Sequence, residues 1–221
     1  MTLEKQMIKK IMRGSPNYPT RLNDLFDPPS CIYALGNVQL LQRPMIAIVG
    51  SRAASPQGLS HAYFFAQSLA RSGALIISGL ARGVDGAAHK GSLAAESQTL
   101  AVCGTGLDIT YPKEHFGLAQ QIARQGLLVS EFMPGTGPRP FHFPKRNRII
   151  AALSLGVIVI EAAKNSGSLI TARIAADLGR EIFALPGNIH DGHFAGCHQL
   201  IQQGAKLVCK PKEVLEEILL P

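Results

Sequence analysis

From Met45 to Leu185 the chain keeps one rhythm: a short, wholly apolar run, a longer stretch with helical spacing, then another apolar run. The runs occupy residues 45–50, 74–78, 99–103, 127–130, 156–160 and 181–185. Strands covered on both faces read as continuous apolar runs, whereas strands with one wet face alternate, so these six predict a parallel sheet. Helical patterns fill residues 56–72, 84–95, 113–124, 144–154, 168–178 and 197–203, with Gly73, Gly126, Gly179 and Gly204 as stops before the next strand. The predicted fold class is α/β, a Rossmann-like, mostly parallel sheet with helices on both faces. Right-handed crossovers would gather the loops leaving the strand carboxyl ends at one sheet edge, and a site is expected there.

Residues 1–44 break this rhythm. Their proline, asparagine and aspartate content predicts a short helical or irregular extension ahead of a Rossmann-like domain over 45–221. At the other end, residues 211–220 read as one amphipathic helix.

Composition narrows the function classes. With 46% hydrophobic and 17% charged residues the chain can build a core, and no apolar run approaches the roughly 18 residues of a membrane span. The cations near the start, Lys9, Lys10 and Arg13, are not followed by the apolar core of a secretion signal, so a soluble cytoplasmic protein is expected. Cys31, Cys103, Cys197 and Cys209 are too dispersed for a zinc knuckle or a disulfide framework. The formal charge of +7 suits an anionic partner such as nucleic acid.

The loops at the expected edge supply candidates. The first run ends in Gly50-Ser51-Arg52, and a helix opens at Ser55-Pro56, so backbone N–H groups and a guanidinium converge where a phosphate can sit. A capped turn with a surface arginine would read the same. The turn is neither G-x-G-x-x-G nor a Walker A, and no cofactor is expected. In the second loop, SGLARGVDG, Asp85 reads as an acceptor for N–H groups at a helix start rather than as an acid or base. The third loop, Gly104-Thr105-Gly106 with Tyr111-Pro112, bends at the same edge.

Residues 134–148, PGTGPRPFHFPKRNR, interleave Arg139, Lys145, Arg146 and Arg148 with Phe141, His142 and Phe143. Single-stranded nucleic acid offers a charged backbone and exposed base faces, so a groove for it needs cations for one and flat side chains for the other. A helix starting at Pro144 turns Arg146 and Arg148 about 200° apart, at ~100° per residue, so one would address a ligand and the other hold structure. Arg146 or Lys145 is expected on phosphate, with the other arginine tied to a carboxylate such as Glu131 or Glu161. Phe141 and Phe143 would either stack bases or pack as a lid. After the fifth run, Ser166-Gly167-Ser168 leads into a helix N-terminus, again suited to phosphate, although N-capping alone would account for Ser168. Leu185-Pro186-Gly187-Asn188 is read as a wall of the site. His190, Asp191, His193, Cys197 and His198 match no structural zinc spacing; they read as a polar loop, and no metal is expected.

Taken in order, GSRAASPQG, SGLARGVDGAAHKG, GTGLDITYP, SEFMPGTGPRPFHFPKRNRIIAALS, EAAKNSGSLITARIAADLGREIFALPGN and GCHQLIQQGA resemble the signature segments of the DprA/Smf DNA-processing family, with YPTRLNDLFDPP as its usual lead-in. The resemblance implies a Rossmann-like protein that binds single-stranded DNA, forms a homodimer and helps load the RecA recombinase in natural transformation, without being an enzyme. The DNA pocket it implies comprises Ser51, Arg52, Phe143, Pro144, Lys145, Arg146, Asn147, Arg148, Ser166, Gly167 and Ser168, with Lys164 beside it, and the reading of the loops adds Gly50 and Arg139. Members often carry a helical domain before the YP segment and a winged helix after the Rossmann part; a fragment or a short member, with its pocket intact, is therefore expected.

The rival reading is a phosphoribohydrolase-type enzyme on a related fold, since glycine-rich loops at a sheet edge also suit mononucleotides. Such enzymes usually show P-G-G-x-G-T, whereas the nearest string here is Pro134-Gly135-Thr136-Gly137, and no paired carboxylates stand out.

Overall fold

In a computed structural model, residues 7–218 are described. Nine strands form one sheet: β1 (Lys9–Met12), β2 (Cys31–Gly36), β3 (Met45–Val49), β4 (Leu75–Ser78), β5 (Thr99–Cys103), β6 (Leu127–Ser130), β7 (Gly156–Val159), β8 (Glu181–Ala184) and β9 (Lys206–Leu207). Seven helices accompany them: α1 (Pro56–Arg71), α2 (Val84–Ala94), α3 (Phe116–Gln125), α4 (His142–Leu153), α5 (Ser168–Asp177), α6 (Ala195–Gln202) and α7 (Pro211–Leu215). The sheet order is β1-β2-β6-β5-β4-β3-β7-β8-β9. All pairings from β6 to β9 are parallel, so the Rossmann-like α/β reading holds.

Every β3 residue is buried, and alternate positions go to opposite faces. Met45, Ala47 and Val49 join the core under α4 and α5, while Ile46 and Ile48 pack against Phe65 and Leu69 of α1. A side chain of that size, fully buried, contributes about 1.5–3 kcal/mol. α1 begins where the sequence signals a start: Pro56 takes the first helical position and the Ser55 hydroxyl accepts from Gly58 N–H at 3.0 Å.

The segment ahead of Met45 departs from the helical or irregular expectation. It contributes β1 and β2, which add antiparallel to the edge at β6, along with 3-10 turns at Thr20–Asp24 and Val38–Gln42. The unpaired edge of a parallel strand accepts a short antiparallel one, and Ile32, Ala34 and Leu35 are buried in doing so. At the carboxyl end the helical reading of 211–220 is met over Pro211–Leu215, and Leu219 and Leu220 lie outside the described residues. Among the described residues no helix is long and apolar enough to cross a membrane.

The chain runs from β3 outward to β6 and then returns to place β7 on the other side of β3. The loops after β3 and β7 therefore diverge, leaving a crevice between them at the carboxyl edge of the sheet.

Candidate nucleic-acid interface

That crevice is an open cleft of about 690 Å³. Its lining draws on five loops, with Ser51 and Arg52 after β3, Ala81 and Asp85 after β4, Tyr111 after β5, Arg139 and Pro140 ahead of α4, and Ser166 to Ser168 after β7.

The β3 loop is held from below by backbone. Ser51 N–H donates to the Glu161 carbonyl at 2.7 Å, and the Ser51 carbonyl accepts from Val84 N–H at 3.2 Å. Gly83 makes this contact possible: its φ is +71°, and a Cβ there would lie 2.2 Å from the Ser51 oxygen. The fully buried Glu161 carboxylate accepts from Ser55 N–H at 3.0 Å and from the Ser55 hydroxyl at 2.7 Å, so its partner is the start of α1 and not an arginine. Arg52 is left exposed, with its guanidinium carbon 4.9 Å from the centre of the Phe143 ring.

Phe143 is half-buried between Arg52 and Tyr111, whose ring centre is 5.4 Å away. Gly104 gives the ring its room, since a Cβ there would come within 3.0 Å of two ring carbons. The glycine-rich third loop thus positions rather than binds. It also pins the following one: the Asp108 carboxylate accepts from Gly135 N–H at 2.8 Å, and Gly106 N–H donates to the Thr136 carbonyl at 2.8 Å.

α4 starts at His142, two residues earlier than the proline suggested; Pro144 stays within the first turn, where its missing N–H costs no helical bond. Arg146 and Arg148 leave the helix in different directions. Arg146 is 3% exposed, donates from Nη1 to the Val102 carbonyl at 2.8 Å, and lies against Gly79, where a Cβ would sit 1.5 Å from that nitrogen. Asp85 accepts from Gly79 N–H at 3.1 Å and Ala81 N–H at 3.3 Å. It sits inside the start of α2 but ties the preceding loop, whereas the sequence suggested that it would cap the helix's own first turn. Burial pushes the Asp85 carboxyl up against the pull of Arg146, and burial draws Arg146 down with Asp85 opposing. Arg148 donates to the Glu131 carboxylate and to the Asp27 carbonyl, each at 2.6 Å. Lys145 is 3.3 Å from the same carboxylate.

On the β7 side, the Ser166 and Ser168 hydroxyls are 2.8 Å apart, and Asn147 Nδ2 donates to the Gly167 carbonyl at 3.3 Å, locking α4 to the start of α5. Ser168 is not the N-cap residue; Gly167 is, with no side-chain cap.

The structure therefore brings Gly50, Ser51, Arg52, Arg139, Phe143, Arg146, Asn147, Ser166, Gly167 and Ser168 to one cleft. Lys145, Arg148 and Lys164 fall outside its lining. So does the 185–188 turn expected as a wall; Gly187 packs under Phe194 and hydrogen bonds with His198. Tyr111 belongs to the lining yet was read only as part of a bend, although an aromatic beside a glycine-rich loop at this edge was a usable signal. Among the described residues no three His, Cys, Asp or Glu side chains gather as a metal would require. Asp191 instead accepts from His193 N–H at 2.9 Å, and Cys197 is buried.

The cleft offers cations and flat rings, and two buried titratable groups, His89 and Cys103, lie outside its lining. Burial holds the His89 imidazole down at about 3, with His115 and Arg146 adding to the effect, so it is neutral near pH 7. The Thr99 hydroxyl donates to the Ile76 carbonyl at 2.8 Å and accepts from His89 Nδ1–H at 2.8 Å, which leaves Nε2 buried without a partner. The Cys103 thiol is pushed up to about 12 by burial, far from the thiolate a nucleophile needs.

A family described as DNA recombination-mediator protein A matches residues 9–219. The chain is 49% identical over 200 residues to the DNA processing protein DprA of Streptococcus pneumoniae, covering 90% of this chain and 71% of that protein. It is 45% identical over 217 residues to the protein Smf of Escherichia coli, covering 98% of this chain and 58% of that protein, so it spans only part of these relatives. An X-ray structure of the Streptococcus pneumoniae DprA matches with a TM-score of 0.93 and 46% identity, over 98% of this chain and 76% of that one. A structure of DNA processing protein A from Helicobacter pylori, described for its single-stranded DNA binding mode, matches with a TM-score of 0.87 and 31% identity, over 98% and 97%.

Proposed function

The chain belongs to the DNA recombination-mediator protein A family, and from that premise we propose that it binds single-stranded DNA in the cleft between the β3 and β7 loops. The observation that carries the reading is the cluster of Arg52, Phe143 and Tyr111, the two rings tilted at 41° to one another, in the cleft that the Ser166–Ser168 loop also lines. A base slides against a flat ring while its phosphate meets the Arg52 guanidinium. Duplex DNA keeps its base faces stacked on one another, so this arrangement favours single strands.

Binding, not bond-breaking, is the work assigned to it. The Asp85 carboxylate is committed to two loop N–H groups, and His89 lies outside the cleft lining. In the cell the bound strand would be protected and passed to the RecA recombinase by a cytoplasmic homodimer, as the resemblance implies for natural transformation.

The test is a fluorescence-anisotropy titration of labelled single- and double-stranded oligonucleotides with the wild type and with Arg52→Ala/Phe143→Ala, the fold of each checked by circular dichroism. Preference for single strands, lost in the folded double variant, is expected. Equal binding of both nucleic acids, or an unaffected double variant, would remove the cleft from DNA binding, and nucleoside monophosphate hydrolysis would become the assay to run.

A further inference from the structure

Outside the cleft, α4 carries a second row of groups with the same chemistry. Phe141, Lys145 and Arg148 stand at i, i+4 and i+7, one face of a helix, and span about 10 Å along its axis. The Phe141 ring is 62% exposed, with the Arg139 guanidinium carbon 6.0 Å from its centre. Lys145, its side chain 46% exposed, lies 5.9 Å from the centre of the Phe132 ring. Arg148 closes the row by holding the Asp27 carbonyl, and the adjacent Phe26 is fully exposed. That loop is also pinned by the Tyr18 hydroxyl, which donates to the Pro29 carbonyl at 2.7 Å, so Phe26 projects from a fixed tip.

An exposed phenylalanine on a fixed tip gains nothing for the core, and two exposed rings, one of them with a guanidinium beside it, make a stacking platform rather than a packing face. α4 contains three cations and no carboxylate; the carboxylates beside the row are Glu131, which Arg148 and Lys145 share, and Asp24 and Asp27 on either side of Phe26, with Asp24 paired to Arg180. The row is continuous with the cleft, because Arg139, Pro140 and Pro144, on either side of Phe141, line the cleft mouth.

We propose that single-stranded DNA leaving the cleft runs along this outer face of α4, its bases stacking on Phe141 and then Phe26 and its phosphates meeting Arg139 and Lys145. The path rests on the reading of the cleft as the DNA site. It makes affinity depend on strand length, because only a strand longer than the cleft reaches the outer rings.

The experiment titrates oligothymidylates from about 4 to about 16 nucleotides, the range of single-strand site sizes, against the wild type, Phe26→Ala, Phe141→Ala and Arg52→Ala. The shortest strand is expected to bind Phe26→Ala as it binds the wild type, while the longest binds about fivefold or more weakly, the low end of one stacked base. Phe141 opens α4 and packs edge-on against His142 at 4.6 Å, so Phe26→Ala, which touches no core residue, guards against a folding artefact. Wild-type affinity of both phenylalanine variants for the longest strand would overturn the path and leave the cleft standing. Equal losses at every length would overturn it too, since the rings would then act on the cleft itself. Wild-type binding by Arg52→Ala would remove the cleft reading and the path together.

Discussion

α4 presents two faces made of the same kinds of residue and put to different uses. On the inner face Phe143, Arg146, Asn147 and Ile150 look into the cleft; on the outer face Phe141, Lys145 and Arg148 look toward Glu131 and the Asp27 loop. Arg146 is buried deeper than any other cation of the cleft lining; its guanidinium donates to the Val102 carbonyl, feels the Asp85 charge and keeps its Nε buried without a partner. Arg148, outside the lining, is more fully committed, bridging a carboxylate and a carbonyl. The cations of the lining left for a ligand are Arg52 and Arg139, neither of which belongs to α4. The contrast teaches that a basic motif supplies the frame of such a site as much as its contacts: a guanidinium that has already exchanged water for protein oxygens cannot do so again for phosphate.

The sharpest way to break this comparison is to treat the buried arginine as if it were a contact. Arg146→Met strands Asp85 and the Val102 carbonyl in the interior and is expected to cost about 3 kcal/mol or more, read from urea unfolding. The loss carries a pH signature. Burial holds the Asp85 carboxyl above its ordinary 3.8, and a raised carboxyl contributes stability fully below that value and loses it as pH rises through the folded one. Removing Arg146 takes away the opposing pull and raises Asp85 further, so the deficit is expected to be larger at about pH 7 than at about pH 5. A deficit that does not change with pH would show that Asp85 does not feel Arg146.

Arg148→Ala comes next. It releases the Asp27 loop and leaves Glu131, whose Oε2 is already buried without a partner, with Lys145 alone; about 1–3 kcal/mol of stability should go. Faster proteolysis within residues 13–30 would accompany it, because Arg148 is one of the anchors of that loop. Asn147→Ala removes one long side-chain bond to Gly167 and is expected to cost only about 0.5–1 kcal/mol, while loosening the Ser166–Ser168 loop enough to weaken DNA binding. Arg52→Ala sits at the bottom of the stability scale, within about 0.5 kcal/mol of the wild type by thermal unfolding, because the side chain is exposed. A large stability loss there would place Arg52 with the structural arginines and collapse the distinction.

How much of this was legible before the fold was known differs by region. The six central strands were, because each is a mainly apolar run, buried throughout in all but β8, and their ends fall within one residue of the observed ones. β1 and β2 were not, since Lys9–Met12 and Cys31–Gly36 are short, partly exposed pieces set among prolines, and their pairing is decided by an available sheet edge rather than by their own pattern. β9, two residues long, carries no signal at all. At the cleft, the loops that converge could be named from the rule that parallel strands gather their carboxyl ends. The helical spacing also said that Arg146 and Arg148 would part. Which of them met Glu131 was beyond reach, because that depends on how α4 is rotated over the sheet, and so was the fact that both are spoken for.

The most direct measurement is the salt dependence of single-strand binding for the wild type, Arg52→Ala and Arg148→Ala. If Arg52, Arg139 and Lys145 each neutralise one phosphate, log K against log[salt] should fall with a slope of about −2 for the wild type. Arg52→Ala should be shallower by about 0.7, the contribution of one phosphate on a single strand, whereas Arg148→Ala should keep the wild-type slope even if its affinity drops. A slope unchanged by Arg52→Ala but reduced by Arg148→Ala would contradict the division between the free and the committed arginines, and a wild-type slope near zero would contradict phosphate binding in the cleft.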